Sequence, residues 1–288
     1  MNMSNPLISI IIPTYNRPHL LPRAVKSALE QTVEDLEVIV VDDASPAHVN
    51  LPEHPRLRTV RLSVNSGGAA ARNAGALAAR GRWIAFLDDD DQLLPDMAAV
   101  SLDALARTTL PQPVAVISGL EVVNKHGKII ETRLPPTLPR GKHFSLEEIS
   151  PGQSFLSKQT MVVEREVLLG IGGFDKSFSS RLHTELFLRL NPVCSILGLP
   201  VVTYRYFLHS SSQVTKDSSL CEVDFHRLVR KHESLLKAHP KMFANFVLEH
   251  ARRSYKFGRG GTAFSSVLWA MRLDPLYTPA RVAELWRR

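Results

Sequence analysis

Short apolar runs alternate with helically spaced apolar residues through the first hundred positions. Leu7 to Ile12 is rich in β-branched residues and closed by Pro13, the pattern of a buried strand. Leu20, Leu21, Ala24, Val25, Ala28 and Leu29 then recur at the spacing of one helix face. Leu36 to Val41 predicts a second strand, closed by Asp42 and Asp43, and Leu57 to Leu62 a third. Gly67 and Gly68 precede an alanine-rich helix over Ala69 to Ala79. Trp83 to Leu87 predicts a fourth strand running into Asp88, Asp89, Asp90 and Asp91, and Pro95 opens a helix through Leu105. Apolar strands separated by helices predict an α/β fold with a mostly parallel sheet flanked by helices. Ligands bind such sheets beyond the carboxyl ends of the strands. Pro13 to Arg17, Asp42-Asp43 and Asp88 to Asp91 share that rim.

The pattern changes from Pro113. Val114 to Ile117 and Leu120 to Val123 read as strands, and His126-Gly127 predicts a hairpin into Ile129-Ile130. Leu134 to Gln153 holds four prolines and reads as a long loop, a candidate lid or acceptor wall. Thr160 to Val163 predicts a strand, Thr184 to Leu190 a short helix, and Val201 to Phe207 a last strand. After Ser218 the chain reads as helices, broken near Gly258 to Gly261. The expected organisation is an α/β domain over 1–217 and a helical region over 218–288. The first divides into a nucleotide-binding half, 1–112, and an acceptor half, 113–217.

With 288 residues and 44% apolar composition, the chain can bury a core without covalent staples. Its two cysteines, Cys194 and Cys221, exclude a disulfide framework and a cysteine-rich zinc site. No run of about 18 apolar residues predicts a spanning helix, and Leu7 to Ile12 lacks the basic flank of a signal peptide. A cytoplasmic location is expected. The net charge of +7 is unevenly spread. His226 to Arg288 holds 13 Lys/Arg against 4 Asp/Glu, a surplus of +9, and the rest sums to −2. A basic region attracts phosphate-bearing partners. Trp269 and Trp286 are interleaved with Arg272, Arg281, Arg287 and Arg288, which suits peripheral contact with an anionic membrane. The plainer alternative is that both tryptophans pack the helices onto the α/β body. No nucleic-acid motif accompanies the charge, so nucleic acid is not expected as a partner.

Four consecutive carboxylates at a strand end repel one another and suit a cation. Oxygen-only ligands favour Mg²⁺ or Mn²⁺; the alternative is a solvated loop with Asp91 as a helix cap. Asp43 can accept hydrogen bonds from a base or a ribose, or simply serve a turn. Tyr15 can stack on a flat ring or cover the sheet edge. The helix start at Gly67-Gly68, with Arg72, offers N–H groups and a guanidinium to phosphate.

Together these segments resemble family 2 glycosyltransferases, whose catalytic domain has the GT-A fold. The resemblance is carried by Ile8-Ser-Ile-Ile-Ile-Pro-Thr-Tyr-Asn-Arg17, Ala28-Leu-Glu-Gln-Thr32, Val38-Ile-Val-Val-Asp-Asp43, Asn65 to Gly75 and Gly81-Arg-Trp-Ile-Ala-Phe-Leu-Asp-Asp-Asp-Asp91. Gly172-Gly-Phe-Asp175 and Leu186-Phe-Leu-Arg-Leu190 are similar to the family's acceptor-side motif. The resemblance implies that Tyr15 and Asp43 contact uracil, with Pro13 and Thr14 beside the base. It implies that Arg72 faces the donor's phosphates. Asp88-x-Asp90 matches the DxD motif, with Asp90 as the direct metal ligand, Asp88 nearer the ribose and Asp89 at the nucleotide. His209 is similar to a histidine that some members hold near the metal or diphosphate.

The base position departs from the family. Members usually carry Glu-Asp before the short helix, with an aspartate as general base. Here the window is Ser179-Ser-Arg-Leu-His-Thr-Glu185, which aligns His183 with that aspartate and leaves Glu185 as the nearby carboxylate. Two positions apart on a helix, the pair would point roughly 200° from each other. Glu185 as base, His183 as base, and neither, in a slow or inactive protein, all stay open. The implied activity is a metal-dependent, inverting hexosyl transfer from a UDP-sugar to a glycan or lipid-linked acceptor. Bacterial surface polysaccharide or lipopolysaccharide synthesis is the implied setting. The alternatives are a non-catalytic sugar-nucleotide scaffold and a nucleotidyltransferase. Pro-Thr-Tyr-Asn, standing where the latter needs a glycine-rich loop, counts against it.

Overall fold

β1 (Ile8–Thr14) and β2 (Leu36–Asp42) are buried at every position, and they pair in parallel from Ile8 opposite Leu36 to Thr14 opposite Asp42. The computed structural model describes residues 5–208 and 218–287; His209 lies outside them. Between and after these strands run α1 (Leu21–Leu29), β3 (Leu57–Arg61), α2 (Gly67–Ala78) and β4 (Trp83–Phe86). Next come β5 (Gln92–Leu93), α3 (Met97–Arg107), β6 (Val114–Val123) and β7 (Ile129–Arg133). A 3₁₀ turn at Lys158–Thr160 leads to β8 (Val162–Glu164), α4 (Arg165–Gly170), α5 (Leu182–Leu190) and β9 (Ser195–Phe207). The sheet order is β3-β2-β1-β4-β8-β6-β9-β5, with β7 beside β6.

Alternate side chains of a strand face opposite sides of the sheet. Ile8, Ile10, Ile12, Val38 and Val40 pack with Leu21, Ala24, Val25 and Ala28 of α1 and with Met97 and Ala98 of α3. Ile11, Ile39 and Val41 pack on the other face, with Ala71 and Ala76 of α2 and Leu186, Phe187 and Leu190 of α5. Two covered faces explain why these strands are apolar throughout. Gly75 brings α2 close to the sheet: a Cβ there would lie 2.4 Å from Cγ2 of Ile11.

The expected parallel sheet holds for β1 to β4. The second half is mixed: β8 runs antiparallel to β4 and β6, and β5 antiparallel to β9. Val114 to Ile117 and Leu120 to Val123 form one strand, whose register with β9 shifts around Gly119. β9 begins at Ser195, ahead of the expected Val201. β5 and α4 escaped the sequence because two and six residues are too few to show a period.

Chain contacts divide the protein into Met1–Phe144 with Ile149–Ser212, and Ser145–Glu148 with Gln213–Arg288. The second unit contains α6 (Ser218–Lys231), α7 (Glu233–Lys237), α8 (Pro240–Lys256), α9 (Gly260–Leu273) and α10 (Tyr277–Arg287). Phe225, Phe243, Val247 and Leu248 are buried within it. Trp269 belongs to that interior, its ring 5.5 Å from Phe243 and parallel to His226. Trp286 stays exposed. The outer face of α9 carries exposed Phe264, Leu268 and Met271, spaced four and three residues apart on one stripe. Among the described residues no helix is long and apolar enough to cross a membrane.

Candidate active site

The aspartate run leaves β4 and turns at once, Asp91 N–H donating to the Asp88 carbonyl at 3.0 Å. This turn separates the four side chains. Carboxylate atoms of Asp88, Asp90 and Asp91 come within 4.8 Å of one another. Asp89 is held at β1, where Thr14 Oγ1 donates to Oδ2 at 2.7 Å and Arg17 Nη1 donates to Oδ1 at 2.9 Å. The same Arg17 nitrogen donates to Asp90 Oδ2 at 3.1 Å. Asp88 accepts from Arg72. Asp91 is fully buried and accepts from the Tyr204 hydroxyl at 2.7 Å and the Phe207 N–H at 2.9 Å. It therefore ties the turn to β9 and caps no helix.

Burial would raise the Asp88 carboxyl, yet the Arg72 guanidinium beside it holds it below the usual carboxylate range. Burial pushes Asp89 up to about 6, against the opposing pull of Thr14 and Arg17. Asp91 is driven well above the ordinary value by burial and then by the charges of Asp88 and Asp90. Clustered oxygen donors of this kind fit a hard divalent cation. Asp91 is fully buried and tied to β9, whereas Asp88 and Asp90 are only half-buried, which makes them the more accessible pair for one.

At the rim expected to take the nucleotide, Tyr15 is exposed, while Pro13 and Thr14 are buried in β1. Asp43 lies at the end of β2. Its Oδ1 accepts from the Ser66 N–H and its Oδ2 from the Gly67 N–H, both at 2.8 Å. The helix start expected to face phosphate is thus capped by a carboxylate from the neighbouring strand, a favourable charge at that end of α2. Each Asp43 oxygen keeps a second lone pair for a ligand. Asn16 and Ala44, both at strand ends here, have left-handed backbones with φ of 53° and 61°, and such strain collects at functional sites.

In the segment expected to face the acceptor, Glu185 is turned away from the rim. It is fully buried, and Arg189 one turn later grips it with Nε to Oε1 at 2.8 Å and Nη2 to Oε2 at 2.6 Å. Arg189 also donates to the carbonyls of Ile171 and Gly173, at 2.6 and 2.7 Å. Glu185 thereby fixes the Gly172-Gly173 turn instead of presenting an open carboxylate. Asn73 clamps the next residue from α2: its Nδ2 donates to the Phe174 carbonyl and its Oδ1 accepts the Phe174 N–H, both at 2.8 Å. Phe174 meets Phe86 and His183 edge-on, with centroids 5.2 and 5.6 Å away. His183 is half-buried and feels the charges of Arg72 and Asp88. Burial and then Arg72 lower its imidazolium to about 3, so the ring is neutral at physiological pH. Lys158, also buried, donates to Thr184 Oγ1 at 3.2 Å and is lowered to about 7 by burial and the charge of Arg181.

The structure thus brings together Thr14, Arg72, Asp88, Asp89, Asp90 and His183 and turns Glu185 inward. Arg17, Asn73, Lys158, Arg189 and Tyr204 carried no assigned role in the sequence. Arg17 and Asn73 sat inside recognised motifs, and Arg189 stands four residues after Glu185; Tyr204 and Lys158 left no local signal. A cavity of about 430 Å³ opens at the opposite rim, lined by Leu7, Asp35, Arg82 and Glu164, away from all of these groups.

Comparison with known proteins bears on the family and the fold. Residues 9–160 match the model of glycosyl transferase family 2. An uncharacterized glycosyltransferase of Haemophilus influenzae is 27% identical over 218 residues, covering 74% of this chain and 72% of its own. The succinoglycan biosynthesis protein ExoO of Rhizobium meliloti is 38% identical over 146 residues, 46% of this chain and 41% of that protein. A chondroitin synthase of Pasteurella multocida is 30% identical over 219 residues, 74% of this chain and 22% of the synthase. The matches thus span less than half of the latter two proteins. Among solved structures, S. aureus TarS 1-349 in complex with UDP-GlcNAc superposes with a TM-score of 0.65 at 15% identity, covering 95% of this chain and 83% of that one. That likeness is one of fold, the GT-A arrangement of a helix-flanked sheet. With more than half of its length matched by the family model and its aspartate turn, strand-end tyrosine and Gly-Gly-Phe-Asp segment all on one rim, the chain belongs to glycosyl transferase family 2.

Proposed function

We propose that this chain is a metal-dependent, inverting transferase that moves a sugar from a UDP-sugar to a glycan or lipid-linked acceptor in bacterial surface polysaccharide synthesis. The supporting observation is the convergence of Asp88, Asp90, Arg72 and His183 at the carboxyl ends of the parallel strands. Tyr15 stacks on uracil, and Asp43 accepts from its N3–H through a lone pair left over from α2. Arg72 faces the diphosphate. Asp88 and Asp90 hold Mg²⁺ or Mn²⁺, which when bound supplies Lewis-acid neutralisation of the leaving diphosphate. His183 accepts the acceptor hydroxyl proton on its ring nitrogen. Glu185 is a positioning residue, acting through Arg189 and the Gly172-Gly173 turn. In this reading 1–217 is the catalytic domain and 218–288 a basic appendage.

The appendage is read as a membrane contact at the cytoplasmic face. Its apolar part is the α9 stripe of Phe264, Leu268 and Met271, together with exposed Trp286; Trp269 is occupied inside the helical unit.

A non-catalytic nucleotide scaffold is favoured by one observation. An imidazole titrating at about 3 is a weak base, and proton transfer is most efficient when the base titrates near the working pH. UDP release separates the readings. The protein is given UDP-Glc, UDP-Gal, UDP-GlcNAc or UDP-GalNAc with Mn²⁺ or EDTA, with and without a lipid-linked acceptor extract. Release that rises with acceptor and stops with EDTA is expected. UDP binding without release under any condition would establish the scaffold, and equal affinity for UDP and CDP would remove the uracil contact.

A further inference from the structure

Arg17 follows β1 and draws on two members of the aspartate run through one nitrogen, Asp89 at 2.9 Å and Asp90 at 3.1 Å. The two carboxylates differ in what else they do. Asp89 is pinned on its other oxygen by Thr14. Asp90 belongs to the cluster that approaches within 4.8 Å of Asp88 and Asp91. Arg23, from α1, bonds the Asp90 backbone carbonyl and leaves the carboxylate to other partners. A guanidinium is permanently charged, so at Asp90 it supplies part of the neutralisation that a divalent cation would. Two cations drawn to one carboxylate repel each other, most strongly where water is partly excluded. The Asp90 side chain is only 13% exposed.

We propose that Arg17 is a resident counter-cation that competes with the divalent cation for Asp90, and that a nucleoside diphosphate relieves the competition by drawing the guanidinium onto its phosphate oxygens. Arg17 sits two residues after Tyr15, on the segment assigned to the donor base, so a bound diphosphate is within the reach of a long side chain on the same rim. A guanidinium matches phosphate in geometry and charge as well as it matches a carboxylate. Moving from Asp90 to phosphate keeps the arginine paired and removes its charge from Asp90. Cation and nucleotide then each favour the other, as linkage requires of any such coupling. The competition rests on the cation reading of Asp88 and Asp90, and the release rests also on the nucleotide reading.

The test is Mn²⁺ binding to the full-length protein, followed by the electron paramagnetic resonance of free Mn²⁺, first alone and then with saturating UDP. Arg17→Met should bind Mn²⁺ alone at least fivefold more tightly than the wild type, the low end of ordinary site-to-site coupling. The gain in Mn²⁺ affinity on adding UDP should shrink in the same variant. Arg17→Lys, a point charge without the planar fork, should fall between the two and serves as the comparison should Arg17→Met fold poorly. Mn²⁺ affinity that is unchanged or weakened in both variants would overturn the proposal, as would an undiminished effect of UDP. If UDP does not bind the wild type, the nucleotide reading fails, while the measurement with Mn²⁺ alone still decides whether Arg17 competes.

Discussion

Replacing Glu185 by glutamine separates a positioning role from a catalytic one. The substitution keeps shape and removes charge, and it sets an amide N–H₂ against the Arg189 fork that now donates to both carboxylate oxygens. Breaking a buried ion pair costs about 3–5 kcal/mol. Glu185 is 1% exposed and Arg189 21%, so the arginine can recover some hydration and the lower end, about 3 kcal/mol, applies. In a domain of this size that lowers Tm by about 6–12 °C. Arg189 also holds the carbonyls of Ile171 and Gly173, so Phe174 and His183 lose part of their support and turnover falls along with stability. Exchanging the whole pair, Glu185→Gln with Arg189→Met, should regain much of the Tm, because no charge is left buried alone. His183→Ala should behave oppositely: Tm within about 2 °C of wild type, UDP affinity nearly unchanged, and turnover reduced about 10²–10⁴-fold. Differential scanning fluorimetry and UDP release on the same preparations provide both readouts. A Glu185→Gln variant with wild-type Tm and a hundredfold loss of turnover would mean that this carboxylate touches the acceptor, and the positioning argument would fall.

Two further outcomes are expected. The Asp89 carboxyl is raised from its ordinary 3.8 to about 6, so the folded state binds that proton more tightly. The associated stability is present below about pH 4 and is lost as pH rises through 6, amounting to about 3 kcal/mol. Asp89→Asn removes this loss, so urea midpoints should show the variant gaining on the wild type between pH 4 and 6.5; a pH-independent difference would contradict the assignment. Full-length protein should co-sediment with phosphatidylserine vesicles at low salt and release as salt rises, and Phe264→Ser with Leu268→Ser should weaken this at least tenfold. Equal binding to neutral phosphatidylcholine, or none to either vesicle, would sink the membrane reading.

The strand-end rim was legible because each of its parts closes an apolar strand, and strand ends carry their own punctuation in Pro13, Asp43 and Asp88. The arrangement around the Gly172-Gly173 turn and α5 was less so, because it depends on partners distant from one another in the sequence. Glu185 is one of two base candidates in the sequence, and only the fold shows Arg189 using both of its oxygens. Asp91 as a helix cap was the alternative to a cation site, and only a hydroxyl 113 residues away reveals its place in the turn. Trp269 suggested a membrane anchor by composition, whereas the rings of Phe225, Phe243 and His226 claim it. The α9 stripe, by contrast, is spelled out by helical spacing in the sequence itself.

The bond from Tyr204 to Asp91 also sets an order of events as the chain is made. β1, β2, β3 and β4 can pair once the first ninety residues have emerged, since their contacts are local on the scale of a βα unit. The aspartate turn cannot be completed then, because its hydroxyl partner is synthesised 113 residues later and its backbone partner, Phe207, 116 later. Asn73 similarly waits 101 residues for Phe174. Closing such long loops is entropically slow. A nascent or partly unfolded chain would therefore hold a native-like strand core while its aspartates were still unassembled. The aspartate turn therefore reaches its final form only after β9 has been made.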